Sequence, residues 1–121
     1  ADVVRLLQDG GLPKGDALAV ARIAGIAAAK RTPDLVPLCH PIAVHAVEVD
    51  LVVRDDRVDI SATVRTADRT GVEMEALTAV AVAGLAVVDM VKGIDRSAVI
   101  DSVRIVAKEG GRSGSWTRPE G

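Results

Sequence analysis

The sequence predicts an α+β domain in which an antiparallel sheet packs against two main helices. Three observations carry this expectation. Residues 17–30 form an Ala-rich segment with helical spacing of apolar side chains. Residues 47–64 alternate apolar and polar around a polar turn, and residues 73–91 form a second, longer helical run.

The elements follow in chain order. Val3 to Gln8 reads as a short helix closed by Asp9-Gly10-Gly11 and Pro13. Asp16 is placed to cap a helix from Ala17 to about Lys30. Lys30 and Arg31 suit its C-terminal dipole, and Pro33 stops it. Leu35 to Pro41 carries two further prolines, so it is expected to be an ordered loop and neither regular helix nor central strand. Val47, Val49, Leu51 and Val53 share one face of a half-buried strand. Asp55-Asp56 turns the chain, and Val58, Ile60, Ala62 and Val64 return it as a hairpin. The helix from Glu73 to Val91 is apolar almost all round, which predicts burial on more than one side. A last strand is expected over about Ser102 to Lys108, before the glycine-rich run from Gly110 to Gly114. With one further strand ahead of the first main helix, this is the split β-α-β order of ferredoxin-like domains.

A chain of 121 residues suits a single domain over residues 1–121. It does not begin with Met, and an N-terminal segment is expected to be missing from it. Aromatic content is 1%, Trp116 alone, so the core must be built from Val, Ile, Leu and Ala. Such side chains bury less area than aromatics, and oligomerisation is expected to supply part of the missing burial. The net charge of -2 argues against nucleic-acid or membrane-surface partners. The single Cys39 can form no internal disulfide, which fits a reducing cytoplasm. The apolar stretch from Ala76 to Val88, bracketed by Glu75 and Asp89, falls short of the ~18 residues of a membrane span.

Five polar clusters are candidates for chemistry. Lys14-Gly15-Asp16 places a cation at a helix N-terminus, where phosphates bind; a surface Lys beside a cap reads the same way. In Pro37-Leu38-Cys39-His40-Pro41 a stiff loop can aim His40 for proton transfer, or bury it against backbone. One Cys and two His are too few for a structural zinc site, so no metal site is expected. Glu73 and Glu75 project together if extended and apart if helical. They could hold a guanine-like ring through its N–H groups, or merely complement a helix start. Asp89 and Lys92, at i and i+3, share a helix face. An Asp in the last turns opposes the dipole, so the pair is either an acid–base couple or a compensating ion pair. Lys108 and Arg112 flank flexible glycines whose N–H groups suit a phosphate, although glycine-rich tails are often just mobile.

Together the clusters resemble one family. Lys14-Gly15-Asp16, then Ala21-Arg22-Ile23-Ala24-Gly25-Ile26, Leu38-Cys39-His40-Pro41, the string from Thr70 to Thr78, Asp89-Met90-Val91-Lys92 and Gly110-Gly111-Arg112-Ser113-Gly114 follow the order of the cyclic pyranopterin monophosphate synthase family. The resemblance spans roughly residues 10 to 115. It implies a lyase of molybdenum cofactor biosynthesis that converts 3′,8-cyclo-7,8-dihydro-GTP to cyclic pyranopterin monophosphate and releases diphosphate. It further implies that Asp89 and Lys92 are central to catalysis, with Lys14, His40, Glu73 and Glu75 in the same site. Leu38, Cys39, His40, Met74, Glu75, Lys108 and Arg112 would contact the substrate. A ferredoxin-like protomer, a hexamer built as a trimer of dimers and sites at a subunit interface are also implied. No cofactor is expected beyond the open question of a divalent ion on the triphosphate. Two departures stand out: a substrate-binding Arg of the family's N-terminal segment is missing, and Arg112 stands where Lys is common, keeping charge but changing geometry. The competing readings are a non-catalytic oligomeric module that binds a nucleotide or pterin, and a purely structural assembly protein. The second leaves the polar clusters without a purpose.

Overall fold

The computed structural model describes residues 2–9, 16–39, 41, 44–67, 71–109 and 114–119. Helix α1 spans Asp2–Asp9 and α2 spans Ala17–Lys30; a single turn, α3, covers Thr32–Leu35. Strands β1 (Val44–Val53) and β2 (Val58–Thr66) form a hairpin, and α4 runs over Glu73–Val91. Two short strands close the order, β3 (Ala107–Lys108) and β4 (Trp116–Thr117). Helices packed on an antiparallel hairpin, in the order helix, strand, strand, helix, give the expected α+β arrangement.

Local chemistry accounts for most boundaries. Asp16 Oδ1 accepts from the N–H groups of Leu18 (3.1 Å) and Ala19 (3.2 Å), satisfying donors that α2 would otherwise leave open. Pro33 sits in the first turn of α3, where its missing N–H costs nothing, so the chain breaks from α2 and restarts for one turn. That turn absorbs Leu35, the first residue of the expected loop. Buried Thr32 holds the junction by donating its hydroxyl to Ala29 O at 3.0 Å. At the hairpin turn, Arg54 N–H donates to Arg57 O (2.7 Å). Hydrogen bonds from Arg57 and Arg54 hold the Asp59 carboxyl below the usual carboxylate range.

The core forms where small residues let backbones approach. Gly25 of α2 faces α4 so closely that a Cβ there would stand 2.9 Å from Ala79 O and 3.3 Å from Val49 Cγ2. Ala21, Ala29, Val49, Val64, Ala79 and Ala83 form the main cluster. A second cluster joins Leu7 of α1 to Ala17, Met90 and Val91, with Val53 and Val58 against it. The start of α2 therefore lies beside the end of α4, and the two helices run antiparallel. The hairpin's turn end sits with the start of α2, and its open end with the start of α4.

Two expectations change. Only Ala107–Lys108 of the last strand enters a ladder, and its partner is Trp116–Thr117. Ser102, where the strand is expected to begin, takes φ 56°, in the left-handed region, and residues 98–106 join no ladder among the described residues. Helix α4 is also long and apolar enough, by length and composition, to cross a membrane. Its small residues are instead used against α2 and the hairpin.

Candidate active site

The described candidate residues fall at the two ends of α4. At the first end, Glu73 and Glu75 lie in the helix's opening turn, where the N-cap Val72 gives no side-chain cap and the dipole favours carboxylates. Because both are helical, their side chains diverge, and the paired-carboxylate arrangement does not form. Glu75 turns inward and is only 3% exposed. The Glu73 carboxylate folds back over Gly71, where a Cβ would collide with it. There Glu73 Oε1 lies 3.9 Å from Lys108 Nζ, with side chains 29% and 15% exposed. Met74, between the two acids, is partly exposed.

The Leu38–Cys39 turn belongs to the same end, since it follows α2 and α3, and α3 touches α4. Leu38 is 93% exposed and Cys39 half-buried, with Cys39 N–H donating to Val36 O at 3.0 Å. A leucine so exposed adds nothing to the core. It is available to a ligand or a partner.

At the other end, Lys92 Nζ lies 2.7 Å from Asp89 Oδ1, with side chains 59% and 53% exposed. The cation lies where the dipole wants one and neutralises the misplaced Asp. Lys92 N–H closes the helix on Val88 O (2.8 Å), and Asp95 N–H donates to Val91 O (3.0 Å). Hydrogen bonds from Ser97 to Asp95 fix the following turn and hold the Asp95 carboxyl low. Asp16, the α2 cap that follows Lys14 and Gly15 in sequence, lies at this end as well.

Glu73 and Asp89 are sixteen residues apart on one helix, or about 24 Å along its axis. Within one protomer the two clusters are therefore separate. Lys14, His40 and Arg112 lie outside the described residues.

Two neighbours of this arrangement were not among the candidate site residues. Gly71 gives the Glu73 carboxylate its room, and Trp116 stands directly opposite Lys108 in the β3–β4 register. Arg118 places its guanidinium 5.4 Å from the centre of the Trp116 ring. The available signal was a lone aromatic two residues before an arginine, a spacing that shares a face once the segment is extended.

Comparison with known proteins gives a consistent result. The model of the MoaC family matches residues 1–111. The cyclic pyranopterin monophosphate synthase of Streptomyces coelicolor is 69% identical over 96% of this chain and 68% of that protein. Cyclic pyranopterin monophosphate synthase 2 of Mycobacterium tuberculosis (strain H37Rv) is 62% identical over 98% of this chain and 71% of its own length. The Corynebacterium glutamicum enzyme of the same name is 57% identical over 96% and 74%.

Proposed function

The chain belongs to the MoaC family and is an enzyme of molybdenum cofactor biosynthesis; from that premise we propose that it converts 3′,8-cyclo-7,8-dihydro-GTP to cyclic pyranopterin monophosphate and diphosphate. The observation that carries the mechanism is the exposed Asp89–Lys92 couple at the end of α4. Rearranging purine-derived rings requires proton transfers at several atoms, and a Lys held beside a carboxylate can serve as acid and as base. An ion pair this exposed contributes little to stability, ~0–1 kcal/mol, which favours a functional reading of an Asp placed against the dipole.

In the phosphoryl step a sugar hydroxyl attacks the α-phosphorus. The new P–O bond forms as the bond to diphosphate breaks, and the hydroxyl proton passes to a base. Charge builds on the departing diphosphate, so cations must meet it. We assign this role to Lys108 at the Glu73 end together with Lys14 and Arg112, and proton transfer to His40. Met74, with Leu38 and Cys39, contacts the substrate, and buried Glu75 backs them from the protomer's interior. The conversion oxidises nothing overall, so no redox cofactor enters; a divalent ion riding on the triphosphate would share the charge.

One protomer holds its two clusters about 24 Å apart, which supports a site assembled from both ends of α4 in different subunits. Exposed Val20, Ile23 and Leu85 on the two long helices supply apolar surface for such contacts. We take the assembly to be a cytoplasmic hexamer of this single domain. Incubation with 3′,8-cyclo-7,8-dihydro-GTP should release diphosphate. A protein that binds the compound and returns it unchanged is a binding module, and the proposal then fails.

A further inference from the structure

We infer that Trp116 is a binding residue of this site, a platform on which the flat heterocycle of the substrate stacks. The inference rests on the proposed activity and adds a contact to its site.

The first argument is placement. This chain builds its packing from Val, Ile, Leu, Met and Ala, and its single aromatic belongs to neither core cluster. Trp116 sits instead on a two-residue strand and remains 41% exposed. An indole is the largest apolar surface a side chain can offer. Leaving it out of an aromatic-free core wastes that surface unless something else covers it.

The second argument is neighbourhood. Trp116 pairs with Lys108 in the antiparallel register, so the two side chains leave the same face of the hairpin, with Cβ atoms roughly 5 Å apart. Lys108 in turn reaches Glu73. A ring on the indole would thus have a carboxylate nearby to accept its N–H groups and an ammonium nearby for its phosphates. That combination suits a guanine- or pterin-derived nucleotide.

The third argument is how the ring is held. Arg118 lies on the same side of β4, and its guanidinium covers the indole at 5.4 Å from the centroid. Arg118 is itself fixed: its Nε donates to Ile105 O and its backbone N–H to Val106 O, both at 2.6 Å. The cation occupies one ring face and pins the indole's orientation. With 41% of the residue still exposed, part of the indole stays open, and a second planar group lying parallel to it would stack there.

Stacking on an aromatic, as measured by alanine substitution, corresponds to about 5- to 150-fold in binding. Trp116→Ala should therefore raise the KM for 3′,8-cyclo-7,8-dihydro-GTP by about that factor, and Trp116→Phe, which keeps a flat ring, by no more than about threefold. Trp116→Leu, which keeps apolar bulk without a π face, should behave like the Ala variant and covers the case in which Ala impairs folding. Inorganic triphosphate, which has no ring, should inhibit all four proteins equally. Trp116 is also the only aromatic of the chain, so tryptophan emission of the intact protein should be quenched by the substrate and left unchanged by triphosphate. Equal loss of triphosphate inhibition in the Ala and Leu variants would make Trp116 merely structural and overturn the inference. So would wild-type KM in both, or turnover without quenching. Quenching without diphosphate release would keep the stacking contact and sink the proposed reaction instead.

Discussion

The two ends of α4 are built from the same kinds of residue and behave differently. At the Asp89–Lys92 end an acid and a base three positions apart meet at 2.7 Å in full view of solvent. At the Glu73–Lys108 end the partners come from distant parts of the chain, stand 3.9 Å apart and are largely covered. The first pair is local, and any helix would bring it together. The second exists only because the β3–β4 hairpin is laid against the start of α4. A group that must exchange protons with a substrate profits from the accessible end, and one that must hold charge profits from the sheltered end, where screening is weaker.

The sharpest way to break this division is to remove Lys92. Lys92→Ala should lower diphosphate release by about 10²- to 10⁴-fold, as loss of a positioned acid–base group does. Its stability should change by less than about 1 kcal/mol, because the pair is exposed. Asp89→Asn should follow it. A thermal melt showing Lys92→Ala largely unfolded would make the pair structural and leave the chemistry without its centre.

Mixing tests whether the ends act together. Lys92→Ala and Lys108→Ala protomers, each nearly inactive alone, should regain about a quarter of wild-type activity after subunit exchange, if each site takes one end from each of two partners. No recovery after confirmed exchange would mean that each protomer works with its own two ends, which the helix keeps about 24 Å apart.

The helix packing that holds both ends in place should be sensitive at Gly25. A Cβ there meets the Ala79 carbonyl, which is backbone and cannot swing away. Gly25→Val should cost about 1–3 kcal/mol by overpacking, read as a lower midpoint in urea. It should weaken both ends together, in contrast to the Lys variants. Unchanged stability would show that α2 and α4 are not so tightly apposed.

The smallest expected effect lies at the hairpin turn, outside the proposed chemistry. Asp59 is held low by hydrogen bonds from Arg57 and Arg54, so its folded-state pKa is depressed. Its contribution is present above the carboxylate's unfolded pKa and disappears as pH falls through the folded value. Asp59→Asn should lower the melting temperature slightly at neutral pH, with the difference closing in acid. A difference that grows in acid would reverse the assignment.

How much of this was legible in the residues depends on how far apart the partners lie. The Asp16 cap, the alternation of β1 and β2, the turn at Asp55-Asp56 and the shared face of Asp89 and Lys92 all follow from spacing within a few residues, because backbone geometry repeats with periods of 3.6 and 2. Those features the sequence determined by itself. Tertiary structure decided the rest. Glu73 and Glu75 parted once their segment proved helical, one turned inward and one folded back over Gly71. The expected last strand shortened to Ala107–Lys108, and that short ladder set Trp116 opposite Lys108. No local pattern encodes such meetings. They arise when separate elements settle against one another, where close packing admits a small set of arrangements and selects which distant side chains touch.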